Sequence, residues 1–425
     1  MGQVEYGRLA ARYSRVEIQG GPVADVLRLG IAGLGLGSAR VIPEIARLDF
    51  LQLTAAADVR AHAAEHFARE FEAEAYTSVA DMCSSLNIDA VYVATPNELH
   101  AEHTIAALEA GKHVIVEKPM ALSIQECEAM NAAAKANSVQ LLSGHTHSLD
   151  APIQKMAEII RSGELGRPLM INTSFYKNFI FRPFSDEQLA SSRGVVLDQM
   201  PHQADIVRLL GGGTVRSVRA MTSIGDRSRP AEGHYVCYLE LENDLPAIMV
   251  FSGYAYLDSA EIVWGIGEGG TPADPESFVA AHRFWRDMGT GPERDRGVAE
   301  LIESWRYGGE HSGEWFFQGR SGPPKGERHQ PFYGITIVTC EKGDIRQSPD
   351  GLYVYTAEGR REISVPQRPS GRAAEMRELY DAVVNKQPPV HDGRWGEATL
   401  EVAFAALESA ATHREMRLSH QMPAP

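Results

Sequence analysis

The sequence predicts an α/β protein built as an N-terminal Rossmann domain, a doubly wound parallel sheet, followed by an α+β domain with a large, mostly antiparallel open sheet. Three observations carry this. Between Leu27 and Gln140 short apolar runs alternate with helical segments at the rhythm of repeated βα units, which calls for a parallel sheet covered on both faces. The first apolar run leads at once into a glycine-rich turn, Gly33-Leu34-Gly35-Leu36-Gly37-Ser38. After about residue 150 one helix is followed mainly by strands with period-two alternation.

In chain order, strands are expected at 27–32, 51–57, 90–94, 113–116 and 139–143. Helices fall at 39–47 and 98–110, the second ending at Gly111, a C′ glycine, and at 124–136. A helix at 153–161 opens the second part. Tyr235, Cys237, Leu239 and Leu241 alternate with Glu240 and Glu242, and 245–257, 335–340, 352–355 and 362–365 are also strand-like. Two helices close the chain, 373–385 and 397–412. The partition is thus 1–25 as an N-terminal arm, 26–150 as the Rossmann domain and 151–425 as the second, α+β domain. Residues 265–331, polar and glycine-rich with a helical patch near Val298 to Trp305, read as an insertion, lid or oligomer contact.

With 425 residues, the chain is about three times the ~150 typical of one domain. Lys plus Arg total 41 against 56 Asp plus Glu, a net charge of −15. No basic face for nucleic acid or an anionic membrane stands out, so a small-molecule substrate is the expected partner. Cys83, Cys127, Cys237 and Cys340 form no CxxC pair, which points to a reducing cytoplasm and away from a structural zinc or a disulfide framework. No apolar run reaches the ~18 residues of a membrane span.

The glycine turn satisfies two positions of a G-x-G-x-x-G fingerprint and places Ser38 at the third; Leu36 lies within it. A strand precedes it, a helix follows, and Asp58 ends the next strand about 20 residues on. Such a turn lets backbone approach a pyrophosphate, the helix N-terminus favours its charge, and a carboxylate accepts from the ribose hydroxyls. Asp58 would repel a 2′-phosphate, so NAD is expected. Arg60 lies close enough to leave NADP open.

Three further motifs, taken together, are specific. They are Thr95-Pro96-Asn97-Glu98-Leu99-His100, Glu117-Lys118-Pro119 and Asp198-Gln199-Met200-Pro201-His202. With them the chain, from about Leu27 to its end, resembles the Gfo/Idh/MocA oxidoreductase family. The resemblance implies an NAD(P)-dependent dehydrogenase in which the first motif lies near the nicotinamide ribose. It implies that Glu117 and Lys118 belong to the family's EKP signature, Lys118 contacting substrate and nicotinamide ribose, and that Asp198 and His202 are its D-x-x-x-H pair. It also implies a cis Lys118–Pro119 bond and a homodimer or homotetramer. The chemistry agrees, since oxidising an alcohol by hydride transfer needs a base for the hydroxyl proton and a donor to the developing oxygen charge. His202 is expected as the acid/base, Lys118 as donor or proton relay, and Asp198, at i, i+4 from His202, as orienting or substrate-contacting. Taken alone, each residue would read as an ordinary surface group.

An arginine common in the family after the sixth strand is absent; Gly144-His145-Thr146-His147-Ser148 stands there. His145 and His147, at spacing two on one strand face, are expected to line the substrate pocket or to pack, and no third ligand makes them a metal site. Residues 144–151, Phe181-Arg182-Pro183, 199–210, 340–355 and 391–402 resemble the subgroup of phthalate dihydrodiol (4,5-dihydroxyphthalate) dehydrogenases. The expected substrate is a cis-dihydrodiol of an aromatic carboxylate, gripped by Arg182 and Lys177. A sugar, cyclitol or glycoside dehydrogenase and a non-catalytic dinucleotide-binding sensor are the alternatives.

Overall fold

The structure is a computed structural model that describes residues 26–229, 231–312, 326–368 and 370–424. The expected arm at 1–25 and part of the 265–331 segment lie outside the described residues. The described chain forms two compact units. The first holds residues up to Gly144 together with 299–312 and Arg372–Glu397; the second holds the rest.

In the first unit, β1 (Leu27–Ala32), β2 (Leu51–Ala57), β3 (Glu74–Tyr76), β4 (Ala90–Val93), β5 (His113–Val116) and β6 (Leu141–Ser143) make one sheet in the order β3-β2-β1-β4-β5-β6. Every pairing in it is parallel. This is the doubly wound order with its switch point between β1 and β4. The central strands are apolar on both faces because helices cover both: Leu29, Ile31, Val91 and Tyr92 are fully buried. The helix Ile124–Asn137 starts on Ser123, whose hydroxyl accepts from the Glu126 N–H, and stops where Ser138 turns left-handed.

The closing helix, Gly371–Val383, was expected with the second domain. It belongs instead to the first unit, where Met376, Leu379, Tyr380 and Val383 join the core that contains Leu29, Ile42 and Phe50. The ring of Phe50 meets that of Tyr380 edge-on at 5.1 Å, and Arg377 lies over Phe50 at 3.8 Å. An apolar stripe on a helix announces that it needs a core and is silent about which one.

The second unit carries a nine-stranded sheet in the order β14-β13-β12-β11-β7-β10-β9-β8-β15. Its strands are β7 (Pro168–Tyr176), β8 (Val215–Ser223), β9 (His234–Leu241), β10 (Leu245–Ser252), β11 (Ile335–Cys340), β12 (Gly343–Ser348), β13 (Gly351–Thr356), β14 (Gly359–Ser364) and β15 (Met416–Arg417). Only β7 and β10 pair in parallel. Tyr235, Cys237, Leu239 and Met249 face inward, while Met221, Val236, Tyr238 and Ile248 stand exposed on the other face. The helix Val195–Gly211 is buried on nearly every side, so it shows little amphipathic period in the sequence. The described part of the 265–331 segment carries helices at Pro275–Asp287 and Pro292–Trp305. Trp285 of the first packs under Arg229 at 3.8 Å. Among the described residues no helix is long and apolar enough to cross a membrane.

The helix Gly371–Val383 should be coupled to β2 of the first sheet. Phe50→Ala should cost roughly 3–5 kcal/mol of unfolding free energy. In a denaturation cycle with Tyr380→Ala the two changes should be non-additive by about 1 kcal/mol; strict additivity would contradict this packing.

Candidate functional site

The glycine turn lies between β1 and the helix Leu36–Ile45. Gly33 has φ +88, and a Cβ there would come within 2.7 Å of the Ala94 carbonyl oxygen, so glycine is required. At Gly35 and Gly37 a Cβ would meet nothing within 4 Å. Gly35 caps the helix with no side-chain hydrogen bond, so no capping side chain answers the first N–H groups of the helix. The Ser38 hydroxyl donates to the Gly33 carbonyl and closes the turn. A pyrophosphate fits this cradle, which leaves room for it and presents uncompensated donors.

Asp58 follows β2 and accepts from the Leu34 N–H at 2.7 Å and the Arg60 N–H at 2.9 Å. The Arg60 guanidinium reaches Asp58 at 3.0 Å, Glu303 at 3.0 Å and the Leu34 carbonyl at 2.6 Å. Burial works to raise the Asp58 carboxyl, but Arg60 and the two N–H groups outweigh it and hold it below the ordinary range. The carboxylate expected to meet the ribose is therefore present and ionised, with its arginine already occupied by two acids.

The other two loops of this unit are tied together. His100 is buried, with Nδ1 at 2.8 Å from the Pro119 carbonyl and Nε2 at 2.9 Å from the Thr95 carbonyl. It was expected among the cofactor contacts; here it joins the Thr95-Pro96-Asn97 loop to the turn after β5. His103, a residue with no motif to single it out, reaches the Thr95 hydroxyl at 3.1 Å. The Lys118–Pro119 bond is cis, and Lys118 is half-buried.

Glu117 also departs from expectation, because its carboxylate turns into the interior. It accepts from the Tyr92 hydroxyl at 2.6 Å and pairs with Arg372 at 2.6 Å, while Arg372 lies 3.3 Å from Glu375. Successive residues leaving a strand point to opposite sides, so burying Glu117 is compatible with a half-exposed Lys118. Burial opposes the charge on Glu117, yet Arg372 and Lys118 hold its carboxyl well down. Burial pushes Glu375 the other way, against Arg372 and with help from the Glu117 charge. One guanidinium serves two buried carboxyls, and the proton stays on Glu375.

In the second unit His147, His202 and Tyr333 form a ring cluster. His147 stacks on Tyr333 at 4.1 Å and meets His202 edge-on at 4.8 Å; Tyr333 and His202 are 5.2 Å apart. His147 was expected on a strand face beside His145, but β6 ends at Ser143 and both lie in the loop beyond it, His145 buried. Tyr333 donates to Gln199, whose amide donates to Asp198. Asp198 and His202 share the helix Val195–Gly211, as expected.

His147 lies between two acids, Nδ1 at 3.3 Å from Asp150 and Nε2 at 3.5 Å from Glu268. Lys177 Nζ is 3.7 Å from the other Glu268 oxygen and 5.4 Å from the Phe175 ring. Arg182 rests over Phe179 at 5.1 Å. Burial works against a charged His147, but Asp150 and Glu268 raise it; burial raises Asp150; Glu268 is pulled well down by His147, Lys177 and Arg182 against its burial. Phe175, Lys177, Val263, Ile266, Glu268 and Phe332 line a small cavity. The second unit thus joins His147, His202 and Lys177 through Tyr333 and Glu268, two residues with no motif signal. Asp150 lay inside the 144–151 string and was not singled out.

Two family profiles match the chain. One, described as an oxidoreductase family with an NAD-binding Rossmann fold, covers residues 27–145, and the GFO/IDH/MocA C-terminal domain covers 153–271. The chain is 34% identical over 390 residues to the 1-carboxy-3-chloro-3,4-dihydroxycyclohexa-1,5-diene dehydrogenase of Comamonas testosteroni, covering 90% of this chain and 94% of that one. It is 28% identical over 199 residues to the myo-inositol 2-dehydrogenase of Thermotoga maritima, 47% of this chain and 59% of the other. A crystal structure from Bordetella bronchiseptica RB50, named as a candidate dehydrogenase, superposes with TM-score 0.83 at 34% identity over 92% of this chain and all of that one.

The Glu375 carboxyl is protonated in the folded chain and ionised in the unfolded chain over a range that ends near pH 8. The folded state then binds more protons, so unfolding free energy should fall as pH rises from the ordinary carboxylate range to about 8. Urea titrations across that range should show the decline in the parent chain and a flatter profile in Glu375→Gln.

Proposed function

The chain belongs to the Gfo/Idh/MocA oxidoreductase family and is an NAD(P)-dependent dehydrogenase, and on that premise we propose that it oxidises a cis-dihydrodiol of an aromatic carboxylate with NAD. The observation that carries the substrate class is the second unit's side-chain cluster, where His202 stands in ring contact with His147 and Tyr333, His147 and Lys177 both reach Glu268, and Arg182 acts on the same carboxylate. In an acidic chain that is where a ring carboxylate finds positive charge. The long match to a dehydrogenase whose name describes a carboxylated ring diol supports the same reading.

When bound, the nicotinamide supplies the acceptor for the hydride leaving the ring carbinol. His202 takes the hydroxyl proton, and the electron pair of the O–H bond becomes the second bond of the carbonyl. Lys118 donates to the oxygen as its charge develops, and His100, by joining the Thr95 loop to Pro119, positions the turn that bears Lys118. Asp198 and Gln199 fix the neighbourhood of the His202 helix face. The ketone tautomerises to a catechol, and aromatisation makes the reaction effectively one-way.

NAD is preferred over NADP because Asp58 is ionised and the cation beside it, Arg60, already serves Asp58, Glu303 and the Leu34 carbonyl with four of its five N–H groups. A 2′-phosphate would meet two acids and a committed guanidinium. The kcat/KM ratio for NAD over NADP should fall by about tenfold or more in Asp58→Ser; an unchanged ratio would assign the choice elsewhere.

Purified chain supplied with NAD should form NADH from cis-dihydrodiols of benzoate-type acids and leave inositols and aldoses unused. Turnover of the sugars alone would replace this reading by the cyclitol one. Lys118→Met and His202→Asn should each lower kcat by about 10²–10⁴-fold, while NADH binding, followed by fluorescence, stays within about twofold. Full activity in either variant would reject its assigned role.

A further inference from the structure

Glu303 lies in the last turn of the helix Pro292–Trp305, and from residue 299 onward this stretch packs with the first unit. An acid in the last turn of a helix opposes the helix dipole, so its place there calls for cations. It has two. One Glu303 oxygen is 3.0 Å from Nη1 of Arg60, and the other is 2.9 Å from Nη1 of Arg306. Burial works to raise the Glu303 carboxyl, but Arg60 and Arg306 outweigh it and hold it below the ordinary range.

Arg60 has two chemically distinct sides. Its Nε and Nη2 go to the two oxygens of Asp58, and Nη2 also donates to the Leu34 carbonyl. Glu303 takes Nη1, the one nitrogen those two partners leave. The contact is not a chance meeting of surface side chains, because Tyr307 anchors the segment that bears Glu303. The Tyr307 ring is buried in the first unit's core, edge-on to Phe67 at 5.9 Å and to His66 at 5.6 Å, and its hydroxyl donates to Glu70. Those partners all stand on the helix Ala61–Phe71, whose N-cap is Arg60 itself. The same helix thus carries the arginine at its start and the socket for Tyr307 along its length. Arg60 keeps only 16% of its side chain exposed.

We propose that Glu303 is a specificity-determining residue for the cofactor: by holding Nη1 of Arg60 it withholds that guanidinium from an adenosine 2′-phosphate and so turns away NADP. The inference rests on the reading of the glycine turn and Asp58 as a dinucleotide site, and it deepens the NAD preference proposed for it. An arginine beside the acid after the second strand is the group that ordinarily accommodates a 2′-phosphate. Here a phosphate would have to displace a carboxylate from that arginine and then remain beside it, which is exclusion by an unfavourable contact rather than by a missing one. The residue responsible stands 243 positions further along the chain than Arg60, in the 265–331 segment. Part of that segment thereby acquires a role in cofactor choice.

The test uses the full chain without substrate and follows the binding of NADH and NADPH by nicotinamide fluorescence. The parent should bind NADH about tenfold or more tightly than NADPH. Glu303→Gln, which keeps the shape and removes the charge, should shrink that preference by about tenfold, mainly through tighter NADPH binding. Glu303→Ala should do the same, and an unchanged unfolding midpoint would show that the segment stays seated. In an Arg60→Ala background, which removes the group on which Glu303 acts, Glu303→Gln should move the ratio by less than about twofold. An unchanged ratio in both Glu303 variants overturns the proposal, as does a full effect in the Arg60→Ala background. The two readings separate. A parent that binds both cofactors equally, yet gains NADPH affinity through Arg60 in Glu303→Gln, refutes the NAD preference alone. A parent that prefers NADH with a ratio insensitive to Glu303 refutes this inference alone, and a chain that binds neither cofactor overturns both.

Discussion

A carboxylate cannot be buried at the end of a parallel strand without a cation, and in the first unit that cation comes from 255 positions further along the chain. Glu117 follows β5 with its carboxylate inside the protein, where it meets the Tyr92 hydroxyl and the Arg372 guanidinium. Removing one partner of such a pair typically costs about 3–5 kcal/mol, because the other is left as an uncompensated buried charge. The requirement draws the helix Gly371–Val383 onto the first sheet, where its apolar stripe closes over Phe50 and Ile42. It also orients the backbone of the turn that carries Lys118, since Glu117 accepts from the Lys118 N–H at 3.2 Å. Core packing and candidate chemistry thus share one ion pair.

The second unit handles charge differently. Its cations are balanced by carboxylates that approach at 3.3–3.7 Å rather than at the 2.6 Å of the Glu117 pair, although Lys177 and His147 are as buried as Arg372. Longer contacts are weaker and more easily exchanged for a ligand, whereas the short pair suits a fixed scaffold. The aromatic rings of Tyr333 and Phe175 give His147, His202 and Lys177 an apolar floor that strengthens each interaction in the pocket.

Much of the first unit was legible because its signals are local. The alternation of apolar runs and helices, the glycine turn at Gly33 and the acid at Asp58 lie within one βαβ stretch, and the strands at 27–32, 51–57 and 113–116 appear where periodicity puts them. Less legible were elements whose sequence lacks a period. The helix Val195–Gly211 is buried all round, β3 is three residues long, and β7 and β12 mix polar and apolar residues with no clean alternation. In the 265–331 stretch the helical patch read at 298–305 belongs to the longer helix Pro292–Trp305, while the helix Pro275–Asp287 was concealed because charged residues dominate the composition.

For the sites the division is similar. Residue types and spacing by themselves marked the dinucleotide turn and, with the three further motifs, the resemblance to the family; that resemblance supplied the candidates Lys118, Asp198 and His202, and Lys177 and Arg182 were named for their charge. Only the tertiary structure decided that Glu117 and His100 turn inward as structural ties, that Arg60 is already committed to Asp58 and Glu303, and that His147 meets Glu268 and Tyr333. Each of those facts is a contact between residues far apart in the chain. Their partners are chosen by burial and charge balance in three dimensions, and no spacing along one dimension encodes that choice.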